Sequence, residues 1–105
     1  INSNKCLAYH TLENRDHKLP KNITSKMGNW IAGCDICQEV CPWNHKKIPN
    51  TSEPDLQPSE WILKMTKKEA LSWSDSTWKA NLNKSALKRI KPWMWRRNIN
   101  SISNN

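Results

Sequence analysis

Three of the four cysteines fall within eight residues, Cys34-Asp35-Ile36-Cys37-Gln38-Glu39-Val40-Cys41, and Pro42 follows at once. The spacing is C-x2-C-x3-C-P. Thiols crowded into one turn-like segment pair poorly with each other, because a disulfide tolerates only a narrow range of Cα separations and dihedral angles. Pro42 bars a continuous helix through the run. Gly33, one of two glycines in the chain, precedes Cys34 at a point where backbone can approach a bound group closely. The intervening Ile36 and Val40 are apolar, as suits a buried group.

The bacterial iron–sulfur run reads C-x2-C-x2-C-x3-C-P, and its fourth cysteine serves a different cluster from the first three. Aligned on the proline, Cys34, Cys37 and Cys41 take the second, third and fourth places. The first place falls on Ile31, which cannot bind iron, and the nearest remaining thiol is Cys6. The spacing therefore assigns Cys6, Cys34 and Cys37 to one [4Fe-4S] cluster and Cys41 to a second. Two such clusters take eight ligands, and the chain has four cysteines. The chain also opens on Ile1, in polar sequence. The expectation is a C-terminal part of a longer protein, whose upstream region supplies the remaining thiolates.

A zinc site is the main rival, since zinc takes C-x2–4-C pairs in a tetrahedral thiolate set. Against it stand the lone C-x2-C, the x3 gap closed by proline, and the apolar spacers. Disulfides are the other alternative.

The 105 residues suffice for one small domain or a piece of a larger one. Hydrophobic content is 36%, there is no phenylalanine, and seven tryptophans carry the aromatic content. A chain this short and polar leans on a metal centre for stability. Nothing approaches the roughly 20 apolar residues of a membrane span, and reduced thiols imply a cytoplasmic setting.

Net charge is +8. Residues 1–63 hold seven Lys/Arg and seven Asp/Glu, whereas residues 64–105 hold ten against Glu69 and Asp75. An excess confined to one block points to a polyanion, usually nucleic acid; the plainer reading is a solvated basic surface.

The fold expected is mainly α. Residues 1–43 form the second half of a ferredoxin-type iron–sulfur region, 44–58 a linker with Pro49, Pro54 and Pro58, and 59–105 a basic tail of short helices. Helices are predicted after Ser59 to Met65, from the capping box Thr66-Lys67-Lys68-Glu69, after Ser74 to Leu82, over Ala86–Lys91, and from Pro92 to about Ile102. Trp95, Ile99 and Ile102 share a face at i, i+4 and i+7 and are read as core, with Trp73, Trp78 and Leu82. Arg96 and Arg97 are expected to point away from it. Lys84, Lys88 and Lys91, with Arg89 beside them, form a basic rim suited to phosphates. His10, His17 and His45 have no ligand-like spacing and are read as surface or packing residues.

Cys6-Leu7-Ala8-Tyr9-His10-Thr11-Leu12-Glu13, Met27-Gly28-Asn29 and Gly33-Cys34 through Cys41-Pro42-Trp43-Asn44, with Ser85-Ala86-Leu87-Lys88-Arg89-Ile90 and Arg97-Asn98, resemble the C-terminal third of the epoxyqueuosine reductases. The resemblance implies reduction of epoxyqueuosine to queuosine in tRNA, using cobalamin and two [4Fe-4S] clusters shared with an upstream region. It implies the same cluster ligands, Cys6, Cys34, Cys37 and Cys41. It implies backbone near Ala8, Asp35 and Ile36 facing cobalamin, and a HEAT-like tail meeting tRNA through Lys88, Arg89, Arg96 and Arg97. The partners implied are the tRNA anticodon stem-loop, the upstream catalytic domain and a low-potential electron donor. The acid that protonates the opening epoxide lies upstream in that family, so no catalytic residue is expected here. A ferredoxin-like electron carrier and a zinc-stabilised nucleic-acid-binding module are the alternative functions.

Overall fold

The computed structural model describes residues 1–46 and 48–102. Among the described residues seven short α-helices form: α1 (Leu7–Leu12), α2 (Lys21–Thr24), α3 (Ile36–Glu39), α4 (Glu60–Lys64), α5 (Lys67–Ser72), α6 (Asp75–Leu82) and α7 (Pro92–Ser101). Single 3-10 turns lie at Ser3–Lys5, Pro42–Asn44, Pro54–Leu56 and Ala86–Arg89. Among the described residues there is no strand, and no helix is long and apolar enough to cross a membrane.

The chain divides into two compact units. Unit 1 joins residues 1–34 to 67–105, and unit 2 is 35–66. The division cuts between Cys34 and Asp35, inside the cysteine run.

Unit 1 has the core. Leu7, Leu19, Ile23, Met27 and Ile102 cluster, with Trp30, Ile31 and Cys34 packed against them. Ala70, Trp78, Leu82, Ile90, Met94, Trp95 and Ile99 are also buried. α7 is the central element. Its Trp95 Nε1 donates to the carbonyl of Ala70 on α5 at 3.1 Å, and its ring stacks on Trp73 at 5.8 Å and 12°. The predicted stripe of Trp95, Ile99 and Ile102 is buried. Trp73, expected in the core, is half-buried.

Local signals fix several boundaries. Ser74 accepts from Thr77 N–H and opens α6. Pro92 opens α7, where its missing N–H leaves no vacancy in the helix. The helix expected over Ala86–Lys91 is instead a 3-10 turn ending at Arg89. Ser85 accepts from Leu87 N–H. Lys91, ahead of proline, is driven to extended backbone (φ −81°, ψ 154°), so the turn cannot run on into α7. Ser59 sits at the start of α4 without a side-chain cap bond.

Unit 2 has no core of its own. Among its described residues none is buried, and only Cys41, Trp61 and Met65 are half-buried. Ile36, Val40, Trp43, Ile48, Leu56, Ile62 and Leu63 are exposed, Trp43 at 81%. Ile36 and Val40 were expected against a buried group. Their exposure follows from a segment that has nothing in this unit to fold around.

Candidate metal centre and basic face

All four thiols are free; Cys6, Cys34 and Cys41 are half-buried and Cys37 is exposed. Among the described residues, no group of three or more His, Cys, Asp or Glu side chains converges as a metal site. Cys6 and Cys34 belong to unit 1, Cys37 and Cys41 to unit 2.

Within unit 1 the structure shows how two thiols 28 positions apart are held in one body. Cys6 is the residue from which α1 starts. The opposite end of that helix carries Thr11, fully buried. Its hydroxyl donates to Leu7 O at 2.9 Å and accepts from Gly33 N–H at 3.0 Å. Gly33 takes φ +76°, a left-handed conformation that costs a side-chain-bearing residue about 1–2 kcal/mol. Nothing lies within 4 Å of a Cβ placed there, so backbone rather than space calls for glycine. Asn98 of α7 donates to both Thr11 O and Ile31 O at 2.9 Å. α1 and the approach to Cys34 are thus pinned to each other and to the last helix.

Arg97 completes this network. It is buried, against the expectation that it points away from the core. It donates to Asn14 O at 2.7 Å, Asp16 O at 2.6 Å and His10 O at 2.9 Å, and twice to Asn98 Oδ1. A guanidinium has five N–H donors, and all are used. Burial pushes its pKa below the ordinary arginine value; Asp16 opposes the fall and Arg15 adds to it. His10 is a packing residue, as read: Nε2 donates to Asn4 O and Nδ1 accepts from Asn14 Nδ2. Nothing in the spacing of the sequence flagged Thr11 or the role of Asn98. For Asn98 the available signal was its place with Arg97 between the apolar Trp95 and Ile99.

Ala8 is half-buried on α1; Asp35 and Ile36 are exposed at the start of α3. In unit 2, Asn44 Nδ2 donates to Gln38 O and Oε1, folding the Pro42–Asn44 turn back on α3 between Cys37 and Cys41.

Three of the four residues of the expected rim, Lys88, Arg89 and Lys91, line a concavity of unit 1, and Lys84 does not. Trp78, Lys79, Asn83, Lys88, Arg89, Lys91 and Pro92 line about 470 Å³. Lys88 is exposed, and Arg89 is paired with Glu13 at 2.6 Å. Arg96 is paired with Asp75 and donates to Trp73 O. The indole N–H of Trp78, which is buried, has no acceptor among the described residues. Lys79 and Asn83, absent from the sequence reading, join the rim because α6 packs on the Ala86–Arg89 turn.

A family described as a 4Fe-4S double cluster binding domain matches residues 1–44, a span that takes in all four cysteines. The chain is 76% identical over 103 residues to the epoxyqueuosine reductase of Prochlorococcus marinus (strain NATL2A), across 98% of its own length and 33% of that protein's. The chain belongs to the epoxyqueuosine reductase family. Identity to the epoxyqueuosine reductase of Synechococcus sp. (strain CC9605) is 55%, over 93% of this chain and 30% of that one. With that of Synechocystis sp. it is 45%, over 93% and 34%. The chain spans about a third of the length of the epoxyqueuosine reductases it matches. No solved structure matches it.

Proposed function

We propose that this chain is the C-terminal part of an enzyme that reduces epoxyqueuosine to queuosine in tRNA, and that it completes two [4Fe-4S] clusters and one side of a cobalamin site. The observation that carries the reading is 76% identity across nearly the whole chain, together with four free thiols in the cluster-binding span. Thiolate sulfur is the donor such clusters take, so the residues fit the group. Cys6, Cys34 and Cys37 would hold one cluster and Cys41 would contribute to the other. When bound, the clusters and cobalamin supply single-electron chemistry to the epoxide carbon–oxygen bond. The chain's own residues hold and position: Thr11 and Asn98 fix the approach to Cys34, and Gly33 turns the backbone beside it. Backbone near Ala8, Asp35 and Ile36 is proposed to face cobalamin.

The apolar side chains exposed on unit 2 support a covering surface from the upstream catalytic region. A segment with no fully buried residue gains little from apolar burial by itself. The tail of short helices, HEAT-like in kind, is proposed to meet the anticodon stem-loop. The concavity around Lys88 supports this, since it is lined by four cations and no carboxylate. Arg89 and Lys88 would contact phosphates, with Glu13 exchanged for RNA at Arg89. Arg96 keeps a donor for the same purpose, whereas Arg97 serves the core. A cytoplasmic location and a low-potential electron donor belong to the same proposal.

Anaerobic iron counting and the visible spectrum test it in the full-length protein. The brown absorbance of clusters is expected, with about half the iron lost in Cys6→Ala and in Cys34→Ala. Unchanged iron in Cys6→Ala removes it from the ligand set. A colourless protein that retains zinc replaces the whole reading with a zinc-stabilised module.

A further inference from the structure

We propose that a second concavity of unit 1, walled by His17, Lys18, Lys21, Trp93 and Arg96, binds a phosphodiester of the substrate RNA. It rests on the tRNA reading above, shares Arg96 with it, and adds Lys18, Lys21, His17 and Trp93, which that reading does not contain. The concavity measures about 630 Å³, inside the range of roughly 300–1,000 Å³ usual for ligand sites. It shares no lining residue with the one around Lys88.

Its walls come from distant stretches of sequence. One is the segment into and along α2; the other is α7. No carboxylate lines it. Lys18 and Lys21 are exposed and, among the described residues, enter no ion pair. Arg96 uses one nitrogen, Nη2, on Asp75 and Trp73 O, which leaves Nη1 and Nε for a ligand. Arg97 adds positive charge without a spare donor. A cleft lined by one sign of charge concentrates counter-ions.

The aromatic side selects the kind of anion. Trp93 lies under the Arg97 guanidinium, 5.4 Å from its ring centre, and 4.9 Å from the His17 ring at 45°. It is half-buried. Flat apolar surface beside free amines suits a phosphate that carries a sugar and base, because aromatic faces stack on bases while cations track the backbone. An acidic peptide would use the amines and leave the aromatic wall idle.

The site was hidden by the charge count. Residues 1–63 are neutral as a block, yet positions 15–26 contain Arg15, Lys18, Lys21 and Lys26 against Asp16 alone. Folding places that segment in the unit that holds the basic tail. Unit 1 carries fourteen Lys/Arg and four Asp/Glu, a net +10; unit 2 carries three and five, a net −2.

The test uses the full-length protein with its clusters loaded. An anticodon stem-loop RNA, inorganic phosphate and a polyglutamate peptide are each titrated over a salt series. The proteins are wild type, Lys18→Ala/Lys21→Ala, Lys88→Ala/Arg89→Ala, and all four changes together. Lys18→Ala/Lys21→Ala should weaken RNA binding and flatten the log–log salt slope by about 1.4–1.8, the loss of two contacts at roughly 0.7–0.9 each. Its effect should add to that of the other pair, as expected for separate sites. Cluster absorbance should not change. RNA affinity and slope equal to wild type in Lys18→Ala/Lys21→Ala, with a loss in Lys88→Ala/Arg89→Ala, overturn this inference and leave the tRNA reading standing. A loss confined to phosphate or polyglutamate overturns it as well. A wild-type protein that does not bind the RNA removes both.

Discussion

Arg97 shows how one side chain can look like a binding residue and act as a clamp. On a basic helix beside Arg96 it reads as a phosphate contact. In the fold its donors close on three backbone carbonyls from the His10–Asp16 stretch and on Asn98. Those carbonyls would otherwise be left unpaired, at about 1–3 kcal/mol for a buried group. Arg97→Ala should therefore lower stability by roughly 2–4 kcal/mol, read from denaturant unfolding of the full-length protein. Arg97→Lys should recover little of it, since a point ammonium cannot serve a five-donor fork. Wild-type stability in Arg97→Ala, with weaker RNA binding, would return Arg97 to the interface.

At the scale of elements, α1 and α7 make a frame for two cysteines. α1 has six residues and would not persist in isolation. It is held by Thr11 and by Asn98 across from it, and the same two residues carry the chain from Ile31 to Gly33. Thr11→Val keeps the shape and removes the acceptor for Gly33 N–H. It should cost about 1–2 kcal/mol and speed loss of the cluster assigned to Cys6, Cys34 and Cys37 under chelator. Gly33→Ala should cost about 1–2 kcal/mol through its positive φ alone, with the same spectral consequence. Cluster lifetimes unchanged in both variants would mean that this frame does not position the thiols. The Ala86–Arg89 turn makes the opposite point: it ends at an extended Ile90, and proline at 92 keeps Lys91 extended as well, so the turn stays separate from α7.

Across the whole molecule, core and charge are unevenly distributed. Unit 1 holds every buried residue described and a net charge of +10, while unit 2 holds exposed apolar side chains and a net charge of −2. Local stability follows buried contact. In the 105 residues by themselves, protease should cut within 35–66 before it cuts unit 1, and amide exchange should be fastest there. In the full-length, cluster-loaded protein the same segment should resist. Equal protection of 35–66 in both forms would mean that no upstream surface covers it.

The sequence alone determined the thiol chemistry, the short-helix content and the stripe through Trp95, Ile99 and Ile102, because spacing, caps and periodicity act over a few residues. It also carried the family, through motifs at Cys6, Cys34–Asn44 and Ser85–Ile90. Only the tertiary structure decided that Arg97 turns inward, that Thr11 and Asn98 brace the approach to Cys34, and that Lys18 and Lys21 share a concavity with Trp93. Those outcomes depend on pairs some 22 to 87 positions apart, where nothing in local sequence states which buried carbonyl a donor must satisfy.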